Sequence, residues 1–145
     1  MPDKNLDKLA FNLFKIFSQY EASLKEHGYF QSVNGQKIIV DWDKFVNEKI
    51  GSNFIEQLAG KSSAAEYILE NPPMKQVVNE HNQVVWQQVP NNDRSVQTLF
   101  GHISRVRNNL FHGAKFNGTW YDPDRSRELM KHALIVLMHF KDKVE

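Results

Sequence analysis

The stretch 93-DRSVQTLFGHISRVRNNLFHGAKFNGTWYDPDRSRELMKHALIVLMHF-140 decides the fold class. In its first half, Val96, Leu99, Ile103, Val106 and Leu110 recur every three or four residues, which at about 100° per residue puts them on one side of a helix. Asn91, Asn92 and Asp93 are cap candidates at its start, and Gly113 is a left-handed stop, so the spacing predicts a helix of about 20 residues. A loop from 114 to 121 follows. Asp122 then caps a last helix with Pro123 at its first position and Asp124 in the favourable field of the N-terminus. Leu129, Ala133, Val136, Leu137 and Phe140 make a core stripe there, while Met130, Leu134 and Met138 add a second apolar face. A terminal helix apolar on two sides lies mid-core or meets another subunit.

Upstream, Leu6, Leu9, Leu13, Ile16, Phe17, Tyr20 and Leu24 form a single stripe that predicts a long helix over roughly 4–27, stopped by Gly28. Between Phe30 and Val40, the Asn34-Gly35 dipeptide precedes the β-branched run 38–40 and predicts a small hairpin or extended loop. Asp41 or Asp43 caps a second helix that runs to Leu58, with Gly51 as a weak point inside it. Ser63-Ala64-Ala65-Glu66 has the form of a capping box, opening a short helix that ends before Pro72-Pro73. Residues 75–89, with Val77-Val78 and Val84-Val85-Trp86, fit buried strands or a helix equally well. No repeat or linker divides the chain, so residues 1–145 are expected to form one all-α domain, a bundle of four to five helices with a small hairpin insertion near 30–40.

With 41% hydrophobic and 24% charged residues, the composition is that of a globular domain with a core of its own. No run approaches the roughly 20 apolar residues of a membrane span, and Met-Pro-Asp-Lys does not read as a secretory signal, so a cytoplasmic location without a membrane partner is expected. The absence of cysteine excludes disulfides, zinc ribbons and thiol nucleophiles. A net charge of +1 gives no global attraction to nucleic acid, but residues 101–145 carry 8 Lys/Arg against 5 Asp/Glu, and residues 1–100 carry 10 against 12.

The excess of positive charge coincides with the chemically most suggestive run, Arg107-Asn108-Asn109-Leu110-Phe111-His112-Gly113. A guanidinium is a permanent planar fork matched to phosphate oxygens, and imidazole exchanges protons near neutrality. Arg107 sits at the edge of its helix's apolar stripe, where a charge needs an anion: a ligand phosphate, or a carboxylate such as Glu21 at the margin of the first helix's stripe. Arg105 points to the more polar side and reads as a surface charge. Five residues on an ideal helix separate two side chains by about 140°, so Arg107 and His112 of one chain do not converge readily on one phosphate. By spacing alone, the pair fits better a buried ion pair plus a histidine stabilised by the helix C-terminus.

The run resembles the R-x-x-x-x-H signature of the HEPN superfamily, all-α domains that include metal-independent ribonucleases of prokaryotic toxin and defence systems. A polar residue after the Arg (Asn108), an aromatic before the His (Phe111) and a following Gly-Ala-Lys, all in the penultimate helix, strengthen the likeness over 93–143. The resemblance implies a homodimer whose two motifs face each other, with RNA as substrate and, in a toxin or defence setting, an antitoxin or inhibitor protein as partner. It implies His112, Arg107 and Asn108 as catalytic residues and no cofactor. Family toxins controlled by nucleotide transfer carry Tyr two residues after the His; Ala114 stands there, which argues against that control.

Lys115, Arg125, Arg127 and Lys131 follow the motif and are candidates to guide an RNA backbone, with Trp120 and Tyr121 available to stack on bases. A solvated helix face and a loop aromatic packed on the core account for them equally well. No H-E-x-x-H is present, and His132 and His139 stand seven apart without a metal-site pattern, so no metal is expected. The competing function is a non-catalytic HEPN-like module that binds nucleotide or RNA or serves in dimerisation.

Overall fold

The computed structural model describes residues 4–111, 115–116, 119–120 and 122–145 and is mostly helical. Helix α1 (Lys4–Glu26) is followed by a hairpin of β1 (Phe30–Val33) and β2 (Lys37–Val40), then by α2 (Trp42–Lys49), α3 (Phe54–Leu58) and α4 (Ser62–Glu70). A second hairpin, β3 (Lys75–Val78) and β4 (Val84–Gln87), leads to α5 (Val96–Phe111), a two-residue ladder of β5 (Lys115–Phe116) and β6 (Thr119–Trp120), and α6 (Pro123–His139).

The expected stops are in place. Gly28 has φ +87°, and the Tyr29 N–H donates to the Leu24 carbonyl at 2.8 Å, closing α1 with a left-handed residue. Gly51, at φ +91°, ends α2 in the same way, its N–H donating to the Val46 carbonyl. The single helix expected over 41–58 is therefore two, and Gln57 secures the break by donating to the Ile50 carbonyl at 2.7 Å. Asp41 is the cap of α2, accepting from Lys44 N–H at 3.1 Å.

Two caps differ from expectation. Ser63 lies inside α4, whose N-cap Lys61 has no side-chain cap bond, because a 3-10 turn over 59–61 runs directly into the helix. For α5 the cap is Ser95, whose Oγ accepts from Thr98 N–H at 3.1 Å, while Asp93 braces it by accepting from Ser95 N–H. The helix is accordingly shorter than predicted, and the Gly113 stop lies outside the described residues.

The all-α expectation gives way to helices joined by antiparallel hairpins. The one predicted near 30–40 forms around Asn34 and Gly35, both at positive φ. Residues 75–89 form another, and its strands are not buried: Val78 and Val84 are 62% and 65% exposed, since a two-stranded ribbon has no second layer to cover it. The segment 114–121, read as a loop, contains the β5–β6 ladder.

Helices α1 and α6 make the main pair, α4 packs across α6 and α5, and α2 lies on α5. The aromatic rings of Phe17, Tyr20, Trp42, Phe45, Phe100 and Phe140 tie these helices together with centroid separations of 5.0–6.3 Å. The Tyr20 hydroxyl, whose pKa burial pushes far up, stays protonated and donates to the Leu137 carbonyl, crossing from α1 to α6. Among the described residues no helix is long and apolar enough to cross a membrane.

Candidate functional site

The last turns of α5 present different chemistry to different neighbours. Val106 and Leu110 point inward, and Arg107 between them turns toward α1. Its Nη2 donates to Glu21 Oε1 at 3.3 Å, and the guanidinium carbon lies 4.6 Å from the centroid of Phe17, a cation–π arrangement. The first helix therefore supplies both a carboxylate and an aromatic floor. Glu21 and Phe17 are four residues apart, one helical turn, and that spacing sets them side by side beneath one guanidinium.

The pair is not sealed. Side-chain exposures of 26% for Arg107 and 28% for Glu21 leave the pair partly open to solvent, while Arg107 Nε is itself buried. Of the two outcomes that the sequence set against each other, the arrangement shows the internal ion pair, in a partly exposed form. A protein pair of this exposure contributes about 1 kcal/mol, much less than a desolvated one.

The other candidates divide. Asn108 is exposed, about 100° round the helix from Arg107. His112 and Tyr121 lie outside the described residues. Lys115 and Trp120 are cross-strand partners in the β5–β6 ladder. Lys131 is exposed on α6, and Arg127 pairs with Asp124 one turn earlier at 3.0 Å, as a solvated helix face would. Arg125 does not point out toward solvent: its Nη2 donates to the Pro72 carbonyl at 2.5 Å, and its Nε is buried without a hydrogen-bond partner among the described residues.

Sequence reading passed over Asn109 in favour of its neighbour. Asn109 Nδ2 donates to the Met74 carbonyl at 2.9 Å, so Asn109 from α5 and Arg125 from α6 together hold the Pro72-Pro73-Met74 strap across the ends of both helices. The available signal was the double proline, which cannot continue α4 and so puts the carbonyls of the strap outside any helical ladder, open to side-chain donors. The strap, α5, α6 and Trp86 of β4 enclose a narrow cleft, open on one side, with Asn109, Asp122 and Arg125 among its polar groups.

His102 is the buried polar residue of α5, 6% exposed, and its Nε2 has no hydrogen-bond partner among the described residues. Burial, and then the neighbouring Arg105, lowers its pKa, with Asp93 opposing. On α6, His132 stacks on Tyr67 with ring centroids 4.4 Å apart and bonds the Glu128 carbonyl through Nδ1. Among the described residues no group of three or more histidines and carboxylates is arranged to hold a metal ion.

Comparison with protein-family models, with curated proteins and with solved structures finds no match to this chain.

Proposed function

We propose that the chain is a HEPN-like, metal-independent endoribonuclease that acts as a homodimer. The observation that carries the reading is the oriented, quarter-exposed Arg107 in the final turns of α5, braced by Glu21 and Phe17 just before the stretch that supplies His112. A guanidinium held this way keeps its planar face fixed, and exchanging a protein contact for a phosphate would spare the entropy of ordering a long side chain on binding.

In this reading the ribose 2′-oxygen attacks the adjacent phosphorus as His112 of one protomer takes its proton. The bond from phosphorus to the 5′-oxygen breaks as the His112 of the partner protonates that oxygen. The products are a 2′,3′-cyclic phosphate and a 5′-hydroxyl. Arg107 stabilises charge accumulating on the phosphorane. Asn108, exposed in the next position of the helix, has the role of orienting the histidine or a phosphate oxygen in this reading. A second copy is supported by apolar exposure near the site: Phe11 and Phe14 of α1 are 65% and 48% exposed, and Phe14 lies about 20° from Glu21 on the helical wheel. The setting is a toxin or defence system, with an antitoxin or inhibitor protein as partner and the cytoplasm as the location.

The Glu21 contact itself favours the second reading, a non-catalytic RNA- or nucleotide-binding HEPN-like module, because a carboxylate beside the guanidinium neutralises it without a ligand. Incubation of the purified protein with single-stranded RNA in chelator separates the two. The wild type yields cyclic phosphate and 5′-hydroxyl ends, and His112→Ala loses at least about 100-fold in rate, the low end of a proton-transfer role. RNA that is bound and left intact by the wild type establishes the module; equal cleavage by both proteins removes the proposed chemistry.

A further inference from the structure

The β1–β2 hairpin has an open edge along β2. Asp41 N–H donates to the Tyr29 carbonyl at 2.9 Å, and the register pairs Gln31 with Ile39 and Val33 with Lys37. Antiparallel hydrogen bonding alternates along a strand, so Lys37 and Ile39 turn their backbone groups to β1 while Ile38 and Val40 turn theirs outward. Among the described residues the sheet has two strands, and no third strand takes that outer edge. Its side chains are apolar and uncovered, with Ile38 51% and Ile39 48% exposed. An open edge of β-branched residues without a proline is a template for another strand.

The charges select which strand it is. When β2 pairs with a second copy of itself, antiparallel and two-fold about Ile39, the bonding pattern is satisfied. Ile38 and Val40 exchange hydrogen bonds with the partner's Val40 and the partner's Ile38, and Ile39 meets its own mate in a non-hydrogen-bonded pair. The same register sets Lys37 opposite the partner's Asp41 at both ends of the contact, on the face that carries Ile39. Asp41 is held ready there. One oxygen accepts from Lys44 N–H and the other from the Gln31 amide at 3.0 Å, and a carboxylate has acceptor positions beyond those two. The other strands of the two longer hairpins lack this match. β1 and β4 carry no charged residue, and Lys75 of β3 meets Asn79 or His81 in the two registers centred on its valines.

We propose that β2 is a self-recognition edge, where two copies of this chain join their hairpins into one four-stranded antiparallel sheet whose register is set by the two Lys37–Asp41 pairs. This contact does not depend on the ribonuclease reading, and it uses neither Phe11 nor Phe14.

The chain has no cysteine, so Ile39→Cys introduces a single thiol at the two-fold axis. Non-hydrogen-bonded antiparallel partners lie about 4.5 Å apart at Cα, within disulfide reach, and mild oxidation is expected to convert this variant to a covalent dimer. Gln31→Cys, exposed on the same face but on β1, is expected to remain monomeric on a denaturing gel. In sedimentation the wild type is expected to be a dimer. Ile38→Pro removes an outward N–H, which an edge strand tolerates, and is expected to run as a monomer. Lys37→Glu sets like charges together at both ends and is expected to weaken association about tenfold, the combined effect of two exposed pairs. A monomeric wild type, a dimer that survives both substitutions, or equal crosslinking of the two cysteine variants overturns the proposal.

Discussion

Arg107 illustrates how much one side chain's setting matters to its chemistry. A guanidinium over Phe17 and against Glu21 is fixed in direction and stays about a quarter exposed. Glu21→Gln keeps the shape and removes the charge. The expected cost is about 1 kcal/mol, or roughly 3 °C in melting temperature for a domain of this size, measured by thermal denaturation. RNA affinity is expected to rise in the same variant, because the phosphate no longer competes with a carboxylate; a fall would show that Glu21 assists binding. His102 carries a separate signal. Its folded-state pKa lies below the ordinary histidine value through burial and Arg105. Between those two values the unfolded chain binds the proton and the folded chain does not, so stability is complete above about pH 6.5 and declines as pH falls toward the folded-state value. Urea denaturation at stepped pH is expected to lose this slope in His102→Gln; an unchanged slope assigns it to other groups.

At the scale of elements, local chemistry marks the ends of the helices better than their continuity. Gly28 and Gly51 stop α1 and α2 because each adopts a positive φ that a side chain resists. Asp122 does two jobs at the start of α6: it sits at φ +48°, a conformation Asp tolerates, and accepts from Arg125 N–H at 3.4 Å. Asp122→Ala is expected to cost about 1–2 kcal/mol and Asp122→Asn much less, as read from denaturant midpoints. Equal losses would mean that charge rather than capping geometry matters there. The ends of α4 and α5 were misplaced for one reason: Ser63 and Asp93 are competent caps by type, and the chain path through the 3-10 turn and through Ser95 decides which residue is used.

For the whole molecule, the aromatic cluster centred on Trp42 and Phe100 joins α1, α2, α5 and α6, and Phe17 belongs both to it and to the floor under Arg107. The candidate site is thereby coupled to the core. The second apolar face of α6 resolves unevenly, with Met130 buried and Met138 60% exposed, so that helix is mostly internal. Exposed apolar side chains are found on α1, at Phe11 and Phe14, as well as on the two longer hairpins. If a second copy covers the α1 pair, Phe11→Ser with Phe14→Ser shifts sedimentation to the monomer while the fold persists; an unchanged sedimentation coefficient rejects that face as the interface. The helical class, the long α1, the hairpin near 30–40 and the cap of α6 were written in the sequence, because periodicity and turn residues act over a few positions; that a charge on an apolar stripe must find an anion left Arg107 a choice between a phosphate and a carboxylate such as Glu21, and the fold shows Glu21. The exposed ribbon at 75–87, the inward turn of Arg125, the role of Asn109 and the cleft at Trp86 were decided by tertiary structure alone. The ribbon is exposed because no second layer covers it, and the other three depend on groups more than 20 residues apart in the chain, where no local pattern encodes which of them will meet.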